Sequence, residues 1–358
     1  RVTRRAAALA GAATVWAVAA ALDAPLSAAD PFAEVRGMTV STPGVGEDWG
    51  SDAMVSTLGL LSDLGCNWVA IHPYGGIRED GTVGRSRIDG LYDDPVWLTR
   101  AIESAHAQGL KILIKPHLAY WGTRFGWRGE IAFEEGEAWS RFFATYREWI
   151  VRVAELSGQA DAFAVGTELD LTVDRQDEWR AIIAAVRART EVPLTYCASW
   201  NRYREVRFWD ALDVIGIQAY FPVVEHDDMP TDAELAAGWK RIVGELEEYS
   251  AEINRRVVFA ELGYNRSLDA AVRPWTYGTD REPAAADLQE RCLDAALRAV
   301  AASDTVVGAF LWKWFPGEIA RGNFTKSDPR MRAVIARNWS DEGRGSAGSS
   351  AGIAQPRR

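Results

Sequence analysis

The feature that most constrains the fold is a short apolar run that ends abruptly in a carboxylate and that occurs twice. Residues 162–167 read Ala-Phe-Ala-Val-Gly-Thr before Glu168, and Val257–Ala260 precede Glu261. Continuous apolar runs of this length are typical of strands that are buried on both faces of a parallel sheet. Barrel enzymes place their chemistry at the C-terminal ends of such strands. We therefore expect Glu168 and Glu261 to face each other across one pocket.

Similar runs recur along the chain, and segments with helical periodicity separate most of them. The connection between the fifth and sixth runs is short and poorly patterned. Strands alternating with helices predict the α/β class and a (β/α)8 TIM barrel, and because no boundary divides it we expect a single domain over residues 30–340. The predicted strands are Gly37–Val40, Trp68–His72, Lys111–His117, Ala162–Glu168, Pro193–Ala198, Val214–Ala219, Val257–Glu261 and Val306–Trp312.

The two ends of the chain differ in composition from the predicted barrel. Arg1–Arg5 is basic, Ala6–Leu22 is almost wholly apolar, and Ser27–Ala29 resembles a small-residue cleavage site. This order is typical of a signal peptide over residues 1–29, so we expect a secreted or periplasmic protein without membrane contact after signal removal. An uncleaved membrane anchor is the alternative. Residues 341–358, rich in Gly, Ser and Ala, read as a disordered tail.

The amino-acid composition indicates which kinds of ligand and cofactor the protein is expected to bind. The chain has 358 residues and a formal net charge of −10, which disfavours nucleic acid as a partner. Its 16 tryptophans exceed ordinary usage, and surplus tryptophans often form stacking platforms for sugar rings. Cys66, Cys197 and Cys292 are widely separated and lack a metal-binding pattern, so we expect structural thiols, with one disulfide left open. We predict a monomer that uses no cofactor and no metal.

Side chains suited to catalysis or to stacking follow nearly every predicted strand. A lone strand-end glutamate is more often an ion-pair partner, and a lone tryptophan is usually core, but their convergence at one rim favours an active site. Two carboxylates among aromatic rings suit glycoside hydrolysis, in which one acid protonates the leaving oxygen and the other carboxylate attacks the anomeric carbon or activates water. The predicted catalytic residues are Glu168 and Glu261; the predicted substrate-binding residues are His72, His117, Trp121, Trp200, Asn201, Tyr220, Trp312 and Trp314.

Four motifs between about Gly37 and Pro316 resemble those of a known family. They are Ile114-Lys115-Pro116-His117, Trp127-Arg128-Gly129-Glu130-Ile131, Ala164-Val165-Gly166-Thr167-Glu168-Leu169 and Ala260-Glu261-Leu262-Gly263-Tyr264. The sequence is similar to glycoside hydrolase family 113 of clan A, whose known members are mainly β-1,4-mannanases. Many clan members have Asn where this chain has Thr167, so the contact of that Asn to the sugar must come from elsewhere.

The resemblance implies a role for several of these residues. It makes Glu168 the acid/base and Glu261 the nucleophile of a retaining enzyme, with Tyr220 hydrogen-bonded to the nucleophile. The aromatic residue of strand eight maps to Trp312 or Trp314, since both point inward if that strand is regular. At the short carboxylate separation of retaining enzymes, ionised Glu261 should raise the pKa of Glu168 and keep it protonated near neutrality.

The resemblance further implies a secreted retaining hydrolase that cleaves β-1,4-linked mannan or mannooligosaccharides. A hydrolase of another β-glycan, such as glucan or glucomannan, is one alternative. An inactive carbohydrate-binding barrel is another, although binding alone needs no proton donor opposite a nucleophile. A metal-dependent hydrolase could use His72, His117 and a glutamate, but such a site usually has more His or Asp at the rim. The chain contains neither a phosphate-binding Gly-rich loop nor a serine nucleophile elbow.

Overall fold

The computed structural model describes residues 32–84, 87–134, 136–317 and 324–340. The leader predicted over residues 1–29 and the tail predicted over residues 341–358 lie outside these ranges, so both stay predictions. Within the described ranges, every helix is too short or too polar to cross a membrane.

Eight parallel strands close into a barrel in chain order, because each pairs with its sequence neighbours and the last pairs with the first. The predicted (β/α)8 barrel is therefore confirmed. The strands are β1 (Val35–Val40), β2 (Trp68–Ile71), β3 (Lys111–Ile114), β4 (Ala162–Thr167), β5 (Leu194–Ser199), β6 (Ile215–Gln218), β7 (Val257–Leu262) and β8 (Val306–Trp314).

Helices cover the outside of the barrel and follow seven of the eight strands. Two 3₁₀ turns, Tyr203–Glu205 and Trp209–Ala211, join β5 to β6 instead, in the segment where the sequence lacks helical periodicity. The helices are α1 (Asp52–Asp63), α2 (Val96–Ala107), α3 (Gly136–Leu156), α4 (Gln176–Arg187), α5 (Asp232–Ile253), α6 (Pro283–Ala301) and α7 (Pro329–Trp339).

Apolar side chains fill the amino-terminal end of the barrel. The Trp68 ring stacks on Phe32 and meets Phe310 edge-on, with ring centroids 5.6 and 6.0 Å apart. Gly37 pairs with Phe310 across β1 and β8, and a Cβ at Gly37 would overlap the Phe310 ring, so only glycine leaves room for this filling. Because this end is closed by aromatic rings, the polar groups of the barrel interior concentrate at its carboxyl end.

Four barrel strands, β2, β3, β4 and β6, are shorter than predicted, and in β2 and β3 a proline is the cause. β2 ends before His72 and β3 ends before Lys115, since Pro73 and Pro116 lack the N–H group that would continue the barrel ladder. The chain then forms a small parallel sheet above the barrel, in which Tyr74–Gly76 pairs with residues 117–119. The prolines therefore move the two histidines from the ends of regular strands into the mouth of the barrel.

Candidate active site

Glu168 follows β4 in a backbone conformation that its neighbours hold in place. Its φ of 51° lies in the left-handed region, which is strained for a residue with a side chain and costs about 1–3 kcal/mol. The Glu168 N–H donates to the Cys197 carbonyl at 2.8 Å, and the next N–H, of Leu169, donates to the Tyr196 hydroxyl at 2.9 Å. These bonds from β5 fix the direction in which the carboxylate leaves the strand.

Glu261 lies on β7, and a separate donor binds each of its carboxylate oxygens. The Lys115 ammonium lies 2.5 Å from Oε1, and the Tyr220 hydroxyl donates to Oε2 at 2.7 Å. Lys115 also donates to the Ala260 carbonyl at 3.0 Å. Burial, followed by the Glu261 charge, raises the pKa of Tyr220 well above its usual value, so the hydroxyl keeps the proton that it donates. The position of Tyr220 agrees with the resemblance.

Arg128 forms an ion pair with Glu168 that the sequence did not predict. Its Nη1 atom lies 2.7 Å from Oε2 of the carboxylate, and each side chain is 16% exposed. Arg128 begins the 3₁₀ turn Arg128–Glu130 in the connection between β3 and α3. The two glutamates are thus paired with different cations, Lys115 for Glu261 and Arg128 for Glu168.

Opposing influences set the protonation of Glu168. Burial raises the pKa of this carboxyl to about 7, the Arg128 guanidinium lowers it, and the Glu261 charge raises it. Glu261 therefore acts in the expected direction, but burial is the larger cause. A carboxyl group with this pKa can hold a proton near neutral pH, as a general acid must.

Both glutamates open into a cavity of about 720 Å³ at the carboxyl end of the barrel. Residues at the ends of β3 to β8 and in the loops that follow these strands form its walls, and eight of the eighteen lining residues are aromatic. The aromatic side chains are Tyr120, Trp127, Trp200, Tyr220, Trp275, Tyr277, Trp312 and Phe324. A larger groove of about 920 Å³ is lined by α5 and α6 on the outside of the barrel and does not contain either glutamate.

The structure brings six of the ten predicted site residues to the cavity wall and places the other four elsewhere. The wall holds Glu168, Glu261, Trp200, Asn201, Tyr220 and Trp312. His72 and His117 are buried next to it with their rings stacked at a centroid distance of 4.7 Å, and Nε2 of His117 lies 4.0 Å from Oε1 of Glu261.

Trp314 and Trp121 lie outside the cavity wall. Trp314 is buried in the core because the register of β1 against β8 shifts after Trp312, so that Thr39 pairs with Trp312 but Val40 pairs with Trp314. The strand is irregular there, and alternation no longer gives the two tryptophans the same direction. Trp121 is 55% exposed and packs on the Tyr74 ring at 4.9 Å. The expectation that both would contact substrate is not supported by this placement.

The two buried histidines are neutral. Burial, and then the nearby cations, lowers the pKa of both His72 and His117 well below the usual value. Both ring nitrogens of His72 and Nε2 of His117 have no hydrogen-bond partner within the described part of the chain. The rings serve here as packing groups, since His72 also meets Trp49 nearly at a right angle and Trp312 at a tilt, with centroid distances of 5.3 and 5.4 Å.

Several residues in or directly behind the cavity wall were not predicted from the sequence. Lys115 and Arg128 belong to quoted motifs, but only the tertiary structure shows which carboxylate each one binds. Trp275 and Tyr277 come from the long connection between β7 and α6, where no periodic pattern marks them. The Trp275 ring stacks on Trp200 at a centroid distance of 5.4 Å and an angle of 19°. The high tryptophan content was the one signal in the sequence that pointed to Trp275.

Potential metal ligands do not converge in groups of three or more within the ranges that the structure covers. His72 and His117 contact each other through their ring faces, a geometry unlike that of two ligands on one ion. All three cysteines are free and buried, which settles the open question of a disulfide.

A (β/α)8 barrel with two glutamates in an aromatic cavity at its carboxyl end defines the class of barrel glycoside hydrolases. Comparison with known proteins gives the family. The sequence model of Glycoside Hydrolase Family 113 matches residues 38–327, and the chain belongs to that family. The chain is therefore a glycoside hydrolase.

Solved structures with this fold include family 113 enzymes. The family 113 β-mannanase of Alicyclobacillus acidocaldarius shares 27% identity over 86% of this chain and 97% of its own, with a TM-score of 0.71. A second family 113 β-1,4-mannanase shares 20% identity over 86% and 99% of the two chains, with a TM-score of 0.73. A family 5 mannosidase of Rhizomucor miehei shares 11% identity over 87% and 95%, with a TM-score of 0.62. No curated protein matches the sequence.

Proposed function

We propose that this chain is a retaining hydrolase of β-1,4-linked mannan or mannooligosaccharides that works through Glu261 and Glu168. The contrast between the two carboxyl environments carries the proposal. Glu261 has a donor on each oxygen, from Lys115 and Tyr220, which orients it as a carboxylate. Burial raises the pKa of Glu168 to about 7, so it can hold a proton. Environments that separate two carboxyl groups in this way assign them opposite roles.

In the first half of the proposed reaction, Glu261 attacks the anomeric carbon. Its Oε atom forms a bond to that carbon while the bond to the glycosidic oxygen breaks. Glu168 gives its proton to the departing oxygen, so the leaving sugar departs as a neutral alcohol. The products of this half are a covalent glycosyl-enzyme at Glu261 and an ionised Glu168.

In the second half, water releases the sugar. Ionised Glu168 takes a proton from water, the water oxygen bonds to the anomeric carbon, and the bond to Glu261 breaks with its electron pair returning to that carboxylate. Two displacements at one carbon retain its configuration. Trp312 lines the same cavity as Glu261, where its aromatic ring can contact the sugar under attack.

The choice of mannan as substrate is supported by family membership and by the A. acidocaldarius β-mannanase, with 27% identity over nearly all of that enzyme. The cavity of about 720 Å³ and its aromatic walls suit pyranose rings. Mannose and glucose differ in the configuration of one hydroxyl group. The proposed preference for mannan over glucan therefore depends on how the cavity contacts that one group.

A substrate screen tests this proposal. Reducing sugar and product size are measured on mannan, glucomannan, cellulose and xylan, with Glu261→Ala as the inactive control. We expect oligosaccharides from mannan and glucomannan, and none from any substrate with Glu261→Ala. Strong activity on cellulose or xylan without activity on mannan would replace the substrate class. Full activity of Glu261→Ala would contradict the proposed nucleophile.

We further propose that the protein is exported and that its leader is removed near Asp30. The proposal is supported by the basic, apolar and small-residue order of residues 1–29. Mass spectrometry of the exported protein tests it: an intact Arg1 in the soluble fraction would contradict cleavage.

A further inference from the structure

We propose that Arg128 is a positioning residue that holds Glu168 ionised during the second half of the reaction. The inference rests on the proposed function, because it assigns a step to the pair of glutamates. Its geometric basis is the ion pair in which Arg128 Nη1 lies 2.7 Å from Glu168 Oε2, with both side chains 16% exposed. An ion pair largely shielded from water is screened far less than a surface pair.

Both partners are held on well-fixed backbone. The turn that carries Arg128 is closed by the Glu130 carboxylate, which accepts a 2.8 Å hydrogen bond from the Gly126 N–H. The Trp127 ring packs over Gly129, in the space that a Cβ at that position would occupy. Glu168 has its own constraint in the bonds from β5. The guanidinium is therefore presented to the carboxylate at one place and remains charged at every working pH.

The other charged groups that face Glu168 are already bound to different partners. Lys115, directly after β3, is 2.5 Å from Glu261, and Asp170, from the connection after β4, accepts a 2.8 Å hydrogen bond from Ser199. Within the described residues, Arg128 is the cation in direct contact with Glu168. The charged groups that influence its charge are Arg128, Glu261, Asp170 and Lys115. The titratable groups Tyr220, Tyr277 and Cys197 also interact with the Glu168 charge.

The influence of Arg128 changes during the catalytic cycle. In the free enzyme, the Glu261 charge and burial oppose the guanidinium, and Glu168 can hold the proton that the first half requires. Glycosylation neutralises Glu261 and so removes one of the two opposing effects. Arg128 then favours the carboxylate, which is the form that must take a proton from water. When it has taken that proton, Glu168 is ready to act as acid in the next cycle.

Arg128→Met tests the inference, with Arg128→Lys as the conservative variant. The substrate is a dinitrophenyl β-mannoside or β-mannobioside, whose leaving group needs no protonation, so the second half limits turnover. With Arg128→Met we expect kcat to fall by about tenfold or more, because a smaller fraction of Glu168 is ionised and able to act as the general base. The burst of dinitrophenol that marks a limiting second half should persist, and the acid limb of the kcat profile should move up by about 1–3 pH units. Arg128→Lys should lie between Arg128→Met and wild type, both in kcat and in the position of the acid limb.

Arg180→Met is the matched control, since Arg180 forms an exposed ion pair with Asp210 on the outer surface. It should behave as wild type. A wild-type acid limb and a wild-type kcat in Arg128→Met, with its fold verified by circular dichroism, would overturn the inference even if KM rises. The proposed function is tested separately by Glu168→Ala: without azide rescue on the same substrate, the acid/base assignment itself fails.

Discussion

The Lys115 ammonium and the Glu261 carboxylate form an ion pair of 2.5 Å in which the side chains are 0% and 5% exposed. Two charges removed from water in this way are stable only together, because each would otherwise be buried without compensation. The pair joins β3 to β7 across the barrel interior. It thus couples the orientation of the proposed nucleophile to the stability of the fold.

Replacing Lys115 by Met should destabilise the protein and impair catalysis. Loss of one partner of a buried ion pair lowers the free energy of unfolding by about 3–5 kcal/mol. Urea denaturation at pH 7 measures this loss, and Lys240→Met, at an exposed position on α5, is the matched control. If Lys115→Met is as stable as Lys240→Met, then the ion pair does not support the barrel.

The activity of the wild-type enzyme should fall as the pH rises through about 7. The first half of the reaction needs protonated Glu168, and burial, opposed by Arg128 and reinforced by Glu261, raises the pKa of this carboxyl to about 7. The basic limb of kcat/KM on mannooligosaccharides measures that ionisation. The limb should disappear with a dinitrophenyl glycoside, which needs no acid. A basic limb that persists with both substrates would point to another group.

His72 should make stability depend on pH below neutrality. Burial lowers its folded-state pKa well below 6.5, so the unfolded chain binds a proton that the folded chain does not. Stability is full above about pH 6.5 and falls with decreasing pH, by about 1.4 kcal/mol per pH unit for each such proton. His72→Phe keeps a flat ring but cannot bind this proton. The free energy of unfolding should therefore depend less steeply on pH in this variant, by the contribution of one proton. Equal slopes between pH 6.5 and pH 5.5 would contradict a neutral buried His72.

Trp275 should contribute to binding of longer substrates. Its ring is 41% exposed and stacks on Trp200 at the cavity wall. Trp275→Ala should raise KM for mannohexaose by about tenfold, the equivalent of one aromatic contact of ~1.4 kcal/mol, without changing kcat on a dinitrophenyl mannoside. Trp121→Ala, at an exposed position outside the cavity, should leave KM unchanged. The same KM in the two variants would show that Trp275 does not contact longer substrates any more than Trp121 does.

The barrel and the location of Glu168 and Glu261 were predictable because they follow from local pattern. Buried parallel strands are continuous apolar runs, and the residue that ends such a run lies at the rim. The direction of Trp314 was not predictable, because the register shift beside Trp312 depends on pairing between β1 and β8. Two prolines likewise carry His72 and His117 off the barrel strands, which a reading of apolar runs alone does not show.

Long-range pairing accounts for the rest of what the sequence could not show. Arg128 and Glu168 are 40 positions apart, and Lys115 and Glu261 are 146 apart. Spacing along the chain does not indicate which cation pairs with which carboxylate. The fold makes the assignment, since the turn after β3 reaches Glu168 while the lysine at the end of β3 reaches across to β7.

The stereochemistry of hydrolysis distinguishes a double displacement, with Glu261 as nucleophile and Glu168 as acid/base, from a single displacement by water. Wild-type enzyme is mixed with a β-linked mannooligosaccharide, and proton NMR follows the anomeric signals before mutarotation. We expect the β anomer to form first, since two displacements retain configuration. Formation of the α anomer first would show a single displacement by water and would exclude Glu261 as the nucleophile.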